Sequence, residues 1–270
     1  MTGAPGGYAA RIHEALAGPG FLLLPEVFEA ALVGGVREEL DRALRAEADR
    51  YGAALAEIGQ QGYVADVLAM GPATRELLAT EQIYHCVSAA LGDRAHLSIA
   101  QGISLGPGEG RGQWPRRWHA DLFQQREAMP EPSFCFGVNC LVTLDEMSPA
   151  NGATCVVPGS QALVALRSQD DSTAEALGIT VTAPAGSLLL MDAGLWHAAG
   201  FNATSEPRRV LKLLFVRGWI RPQLDYRALI EAASYPDLTP RAAALLSAAA
   251  PGAAVLPSAL EPTGIAGPTA

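Results

Sequence analysis

The chain changes its pattern near residue 95, and that change constrains the fold more than any other feature. Upstream, apolar residues recur at helical spacing; downstream they fall into short β-rich runs separated by Gly, Pro, Asn and Asp, the mark of an antiparallel sandwich or barrel. Candidate strands are His96 to Leu105, Phe134 to Asp145, Thr154 to Pro158, Ile179 to Thr182, Ser187 to Asp192 and Arg208 to Trp219. Before them, Tyr8 to Ala17 reads as a short helix and Gly20 to Leu24 as a buried strand stopped by Pro25. Val27 to about Ala48 reads as a long helix with Ala31, Val36, Leu40 and Leu44 on one face, and Thr74 to Leu91 as a further helix. Helices that lead into strands predict a mainly β fold with flanking helices, a double-stranded β-helix (jelly roll, cupin-like) core covered on one outer face.

Residues 1–270 are expected to form a single domain: N-terminal helices over about 8–91, the β core over about 95–220 and a C-terminal appendage over about 225–270, Ala/Pro/Gly-rich from Thr239. The 28 acidic side chains against 19 basic ones leave a net charge of -9, which disfavours a nucleic-acid partner because phosphate binding needs a concentrated basic surface. No apolar run approaches the roughly 18 to 20 residues of a membrane span, and the N-terminus lacks the basic start and apolar block of a secretory signal. Cys86, Cys135, Cys140 and Cys155 lack CxxC spacing and read as buried thiols of a reducing compartment. A cytoplasmic protein is expected. A single lysine, Lys212, amid abundant Arg and Ala points to a GC-rich, bacterial coding sequence.

Of the five histidines, His119 and His197 stand beside candidate strands. His119 and Asp121, separated by one residue, project to the same side of an extended chain and can reach one ion. His197 opens another extended segment 78 positions later. Two imidazoles and one carboxylate form the facial ligand set of non-haem Fe(II) oxygenases, which leaves the opposite octahedral face open. An HxD pair alone is weak evidence, so its context decides. His13, His85 and His96 have no carboxylate at ligand spacing and receive no role.

The context resembles the phytanoyl-CoA dioxygenase family of Fe(II)/2-oxoglutarate-dependent oxygenases from Gly20 to about Pro222. The resemblance rests on Gly20 to Val27, on Trp118-His119-Ala120-Asp121-Leu122, on Leu144 to Gly152 running into Val157-Pro158-Gly159-Ser160-Gln161, and on Gly186 to Arg209. It implies His119, Asp121 and His197 as catalytic iron ligands, with 2-oxoglutarate and O2 as cosubstrates. It also implies that an arginine eleven positions after the second histidine, Arg208, anchors the distal carboxylate of 2-oxoglutarate through the forked pair a guanidinium makes. Strand alternation groups Arg209 with Leu211, Leu213 and Phe215, and Arg208 with Val210 and Lys212, so it does not decide which arginine faces inward; the family spacing selects Arg208. Where the family often has a serine two residues after the second histidine, this chain has Ala199, so one hydrogen bond is missing or supplied elsewhere. Gln101 and Asn139 are candidates to contact the cosubstrate, with an outward polar side chain and an ordinary structural hydrogen bond as their respective alternatives.

The resemblance thus implies hydroxylation, desaturation or cyclisation of a small-molecule substrate coupled to conversion of 2-oxoglutarate to succinate, in a setting such as bacterial secondary metabolism. Related halogenases replace the carboxylate with a small residue, so Asp121 argues against halogenation. A non-catalytic cupin-like binding protein, or a metal-dependent hydrolase on the same three ligands, is the competing reading. Arg111, Arg116 and Arg117 read as a solvated loop or a contact for an anionic substrate; Trp114, Trp118 and Phe123 read as pocket lining or core. Substrate choice is expected to lie in Gly59 to Ala73, Gly106 to Trp114, Gln124 to Pro132 and Gln161 to Gly178.

Overall fold

A computed structural model describes residues 5–52, 62–110, 117–122, 134–162, 171–233, 235 and 238–247. Arg111, Trp114, Arg116 and Phe123, much of the four expected specificity loops and the end of the tail lie outside the described residues. Helix α1 (Pro5–Ala17) and strand β1 (Phe21–Leu24) lead into the long helix α2 (Ala30–Tyr51). After β2 (Tyr63–Val64) come three short helices, α3 (Val67–Met70), α4 (Pro72–Leu78) and α5 (Glu81–Leu91). The strands β3 (His96–Leu105), β4 (Gly137–Thr143) and β5 (Thr154–Val156) follow, then α6 (Asp171–Leu177) and β6 (Ile179–Thr180). The chain continues through β7 (Leu188–Asp192), β8 (His197–Ala199) and β9 (Arg208–Val216) to α7 (Tyr226–Ala233) and α8 (Pro240–Ser247).

The strands form two antiparallel sheets, a six-stranded one in the order β1-β7-β4-β9-β3-β2 and a three-stranded one in the order β6-β5-β8. This is the expected jelly roll. Alternation along the strands gives the large sheet two apolar faces. Cys140, Val142, Leu190, Leu211, Leu213 and Phe215 pack with Val36 and Leu40 of α2 and Ile83 and Val87 of α5. On the other face, Leu141, Leu189, Met191 and Val210 meet Val156, Val181 and Leu195. The C-terminal appendage is packed as far as it is described, with Leu245 and Leu246 buried in the helix-side cluster.

The structure corrects the expected helix from Thr74 to Leu91, which is two helices. Thr80 is extended (φ -66°, ψ 148°) at the start of α5, and its hydroxyl donates to the Leu77 carbonyl at 2.8 Å, closing α4. Residue types at this joint carried the signal, a threonine followed by an acid. The N-terminus of α4 is held instead by a buried acid from α2: the Glu39 carboxylate accepts from the amides of Ala73 and Thr74, each at 2.9 Å, and from the Thr74 hydroxyl at 2.7 Å.

One irregularity bears on the site. The β3/β9 register pairs Leu97 with Phe215 but Ile99 with Leu214, so Ser98 is an extra residue. Such a bulge inverts the facing of everything beyond it. Leu97 and Ala100 therefore both face the helices, and Gln101, opposite Lys212, faces inward. The segment after β9 locks the bulge: the Gln223 and Leu224 amides donate to the Ser98 hydroxyl (3.1 Å) and carbonyl (3.0 Å), and the Ala100 amide donates to the Tyr226 hydroxyl at 2.6 Å.

Candidate active site

The structure brings His119, Asp121 and His197 together by a backbone bridge. His119 and His197 exchange both amide–carbonyl bonds, at 3.0 and 2.9 Å, a close antiparallel pair that puts their side chains on the same side. The ring centroids are 4.4 Å apart. The Asp121 amide donates to the Ala193 carbonyl at 3.0 Å, tying the HxD segment to the loop before β8. The residues preceding each histidine, Trp118 and Trp196, point the other way and pack edge to face at 6.5 Å, both buried. Trp118 thus serves the core and also presents an edge to the cavity.

Each imidazole is oriented by its Nδ1, which lies 2.7 Å from the Arg117 carbonyl in His119 and 3.0 Å from the Leu195 carbonyl in His197. A carbonyl can only accept, so Nδ1 carries the proton and Nε2 presents a lone pair. The two Nε2 atoms lie 3.8 and 3.5 Å from the Asp121 oxygens. One ligand atom from each residue falls within 4.8 Å of the others. Two imidazoles oriented through Nδ1 and one carboxylate fit a divalent transition metal and leave half of an octahedron open.

The Asp121 carboxylate is held on both oxygens. Lys212 Nζ donates to Oδ1 at 2.6 Å and Asn139 Nδ2 to Oδ2 at 2.7 Å. Burial acts to raise its pKa, but the charge of Lys212, with the two imidazoles and the lysine hydrogen bond, outweighs burial and holds it well below the usual carboxylate range. His197 is shifted down as well, for a ligand-compatible reason: burial, then the neighbouring His119, lowers its pKa to about 4. At neutral pH the site presents an anionic carboxylate and a neutral His197, the forms that bind metal.

The set lines a cavity of about 660 Å³. Arg208, buried, is on its wall, and its Nη2 donates to the Gly152 carbonyl at 2.8 Å. Gly152 sits at φ +79°, and a Cβ there would fall 2.8 Å from the Gly200 carbonyl, so the tight turn beside Arg208 requires glycine. Arg209 faces the other way: Nε and Nη2 donate to Asp41 of α2 at 2.6 and 3.1 Å, and Nη1 to Asp145 at 3.0 Å. The parity left open by alternation is therefore decided by which face the helices cover.

Gln101 is on the cavity wall, whereas Asn139 is fully buried on Asp121 and does not line the cavity. Lys212 and Thr154 on the same wall are functional candidates that the sequence alone does not single out. Lys212 shares the inward parity of Arg208, which was its signal. Thr154 lies directly across β5/β8 from Ala199, a relation visible only once strands are paired.

Known proteins share this fold. EctD from S. alaskensis, in a structure with bound Fe, is 21% identical with a TM-score of 0.64, covering 83% of this chain and 82% of that one. In a structure with 2-oxoglutarate and 5-hydroxyectoine it matches at 22% identity and a TM-score of 0.62, over 80% and 78% of the two chains. SnoN, a non-heme alpha ketoglutarate dependent epimerase from nogalamycin biosynthesis, is 18% identical with a TM-score of 0.57 over 81% of this chain and 87% of its own. An uncharacterized protein of Mycobacterium tuberculosis is 27% identical over 228 residues, 82% of this chain and 81% of that protein. The solved structures among them share the jelly-roll fold of this chain. The phytanoyl-CoA dioxygenase (PhyH) profile matches residues 17–210, and the chain belongs to that family.

Proposed function

We propose that the protein is an Fe(II)- and 2-oxoglutarate-dependent oxygenase that hydroxylates a small molecule, with O2 as oxidant and succinate and CO2 as the other products. The observation that carries this reading is the presence of His119, Asp121, His197 and Arg208 on the wall of one cavity. His119, Asp121 and His197 would hold the iron, which would supply O2 activation coupled to oxidative decarboxylation of 2-oxoglutarate. Arg208 would fork onto the distal carboxylate of 2-oxoglutarate, its orientation set by the Gly152 carbonyl. Thr154 would supply the hydroxyl that Ala199 lacks; its present acceptor, the Met147 sulfur at 3.7 Å, is weak. Gln101 would give a neutral donor on the same wall. The carboxylate of Asp121 supports hydroxylation over halogenation.

The shared apolar cluster from Ile12 to Leu246 supports reading residues 1–270 as one domain. The free cysteines support a cytoplasmic location, and no helix among the described residues is long and apolar enough to cross a membrane. The Arg- and Ala-rich composition with one lysine supports a bacterial source, and the likeness to SnoN from nogalamycin biosynthesis supports a setting in secondary metabolism. The test is an anaerobic titration of the Fe(II)-loaded protein with 2-oxoglutarate. A visible charge-transfer band that forms in the wild type and is lost in His197→Ala is expected; no band with either protein overturns the proposal.

A further inference from the structure

Lys212 is the chain's one lysine, and it is placed where a cation is costly. Its side chain is 12% exposed, on the inner face of β9 and on the cavity wall. The acid it meets, Asp121 at 2.6 Å, belongs to the metal set. Once a divalent ion binds, Asp121 is shared. Asp121, a divalent metal, doubly charged 2-oxoglutarate and Arg208 together carry no net charge, so Lys212 is left as an unbalanced charge in a largely buried site. A buried charge without a counter-charge is strongly disfavoured. Arg117, exposed at the rim and also on the cavity wall, adds positive potential on the approach. Gln101, the cross-strand partner of Lys212, puts a neutral hydrogen-bond donor on the same wall.

We propose that the substrate of this site carries a carboxylate, and that Lys212 binds it beside the metal position with Gln101 next to it. The inference rests on the oxygenase reading above and specifies its substrate class. Binding to Lys212 would fix one end of the substrate within reach of the open metal face, so that the reacting C–H lies a short distance from the acid group. The ammonium is a point charge on a flexible stem and can turn from Asp121 to a substrate oxygen by rotations of its own side chain.

The test uses the full chain loaded with Co(II) and saturated with 2-oxoglutarate, probed by 19F NMR titration with 4-fluorobenzoate and its neutral counterpart 4-fluorobenzamide. The wild type is expected to bind the acid about ten- to a hundredfold more tightly than the amide. Lys212→Met, which keeps the length of the stem, should bring the two within about twofold of each other, and Lys212→Arg should restore the preference. At saturating Co(II) the affinity for 2-oxoglutarate should be unchanged in Lys212→Met, while loss of the hydrogen bond to Asp121 weakens the binding of Co(II) itself. Equal binding of acid and amide by the wild type, or an acid preference that survives in Lys212→Met, overturns the inference. So does a loss of 2-oxoglutarate affinity in its place, which would make the cosubstrate the lysine's partner. Failure of the wild type to bind Co(II) at all overturns the oxygenase reading together with this inference.

Discussion

Asn139→Leu separates support of the metal site from contact with the cosubstrate. Asn139 is fully buried, and its Nδ2 donates to Asp121 Oδ2 at 2.7 Å, while its Oδ1 has no hydrogen-bond partner among the described residues. Leucine of similar size removes a hydrogen bond to a charged acceptor, worth about 1.5–3 kcal/mol, and also removes an unsatisfied buried carbonyl oxygen that costs about 1–3 kcal/mol. These contributions oppose each other, so the metal-free fold should change by no more than about 1–2 kcal/mol. Metal affinity has no such offset. Partners that orient a ligand typically matter by about 10–100-fold, because Asp121 Oδ2 is free to rotate and only Lys212 still holds the carboxylate. Isothermal titration with Co(II) reads the first effect, and 2-oxoglutarate titration of the metal-saturated variant should match the wild type. A metal affinity within about twofold of wild type would refute the reasoning. Weakened 2-oxoglutarate binding at saturating metal would return Asn139 to the cosubstrate role that its sequence context suggested.

Arg208→Lys should raise the 2-oxoglutarate concentration needed for half-maximal succinate formation by about tenfold or more while metal binding persists, since an ammonium cannot fork onto a carboxylate. Arg209→Ala should leave that concentration unchanged but lower stability to urea by about 1–3 kcal/mol, because it unties Asp41 and Asp145, which are partly exposed; the reverse pattern would exchange their roles. Tyr226→Phe removes the acceptor for the Ala100 amide and should cost about 1–3 kcal/mol in the same assay, with an unchanged midpoint arguing against the bulge lock. The metal-free protein should lose stability as pH falls from about 6.5 to about 4. Burial lowers His197 to about 4 and lowers His96 as well, so the unfolded chain takes up protons first. For His197 this is on the order of 2–3 kcal/mol, and His197→Gln should flatten the profile measured by urea unfolding between pH 7.5 and pH 4.5.

Local signals account for what the sequence revealed and pairing accounts for what it hid. Strand β3 runs over the expected His96 to Leu105 because Gly106 and Pro107 end it. The bulge at Ser98 was invisible, because an extra residue has meaning only against β9, more than a hundred positions later. Gln101 consequently stayed ambiguous, while its inward facing follows directly from the bulge. His119 and Asp121 were legible because a two-residue spacing on an extended segment is itself a geometry, whereas His197, 78 positions on, needed the family context. Asn139 and Lys212 were harder: both act through Asp121, which comes from a different part of the chain. Thr154 required knowing that β5 pairs with β8. The division of Thr74 to Leu91 was missed for the opposite reason, since helical periodicity continues across the Thr80 joint and masks a local cap.

Strand β9 shows why packing and chemistry are not separable here. Leu211, Leu213 and Phe215 face the helices, and burying each is worth about 1.5–3 kcal/mol. Arg208 and Lys212 occupy the alternate positions and therefore face the cavity, although turning cations inward opposes folding. A one-residue slip against β3 and β4 would turn the three apolar side chains away from the helices and bring Arg209, now fixed on Asp41, into the cavity. The apolar face thus supplies the free energy that holds two unfavourably placed cations in the site. Their positions are specified by residues that touch neither metal nor substrate. Replacing Leu213 with a polar residue should therefore disturb 2-oxoglutarate binding before it alters any residue of the metal set.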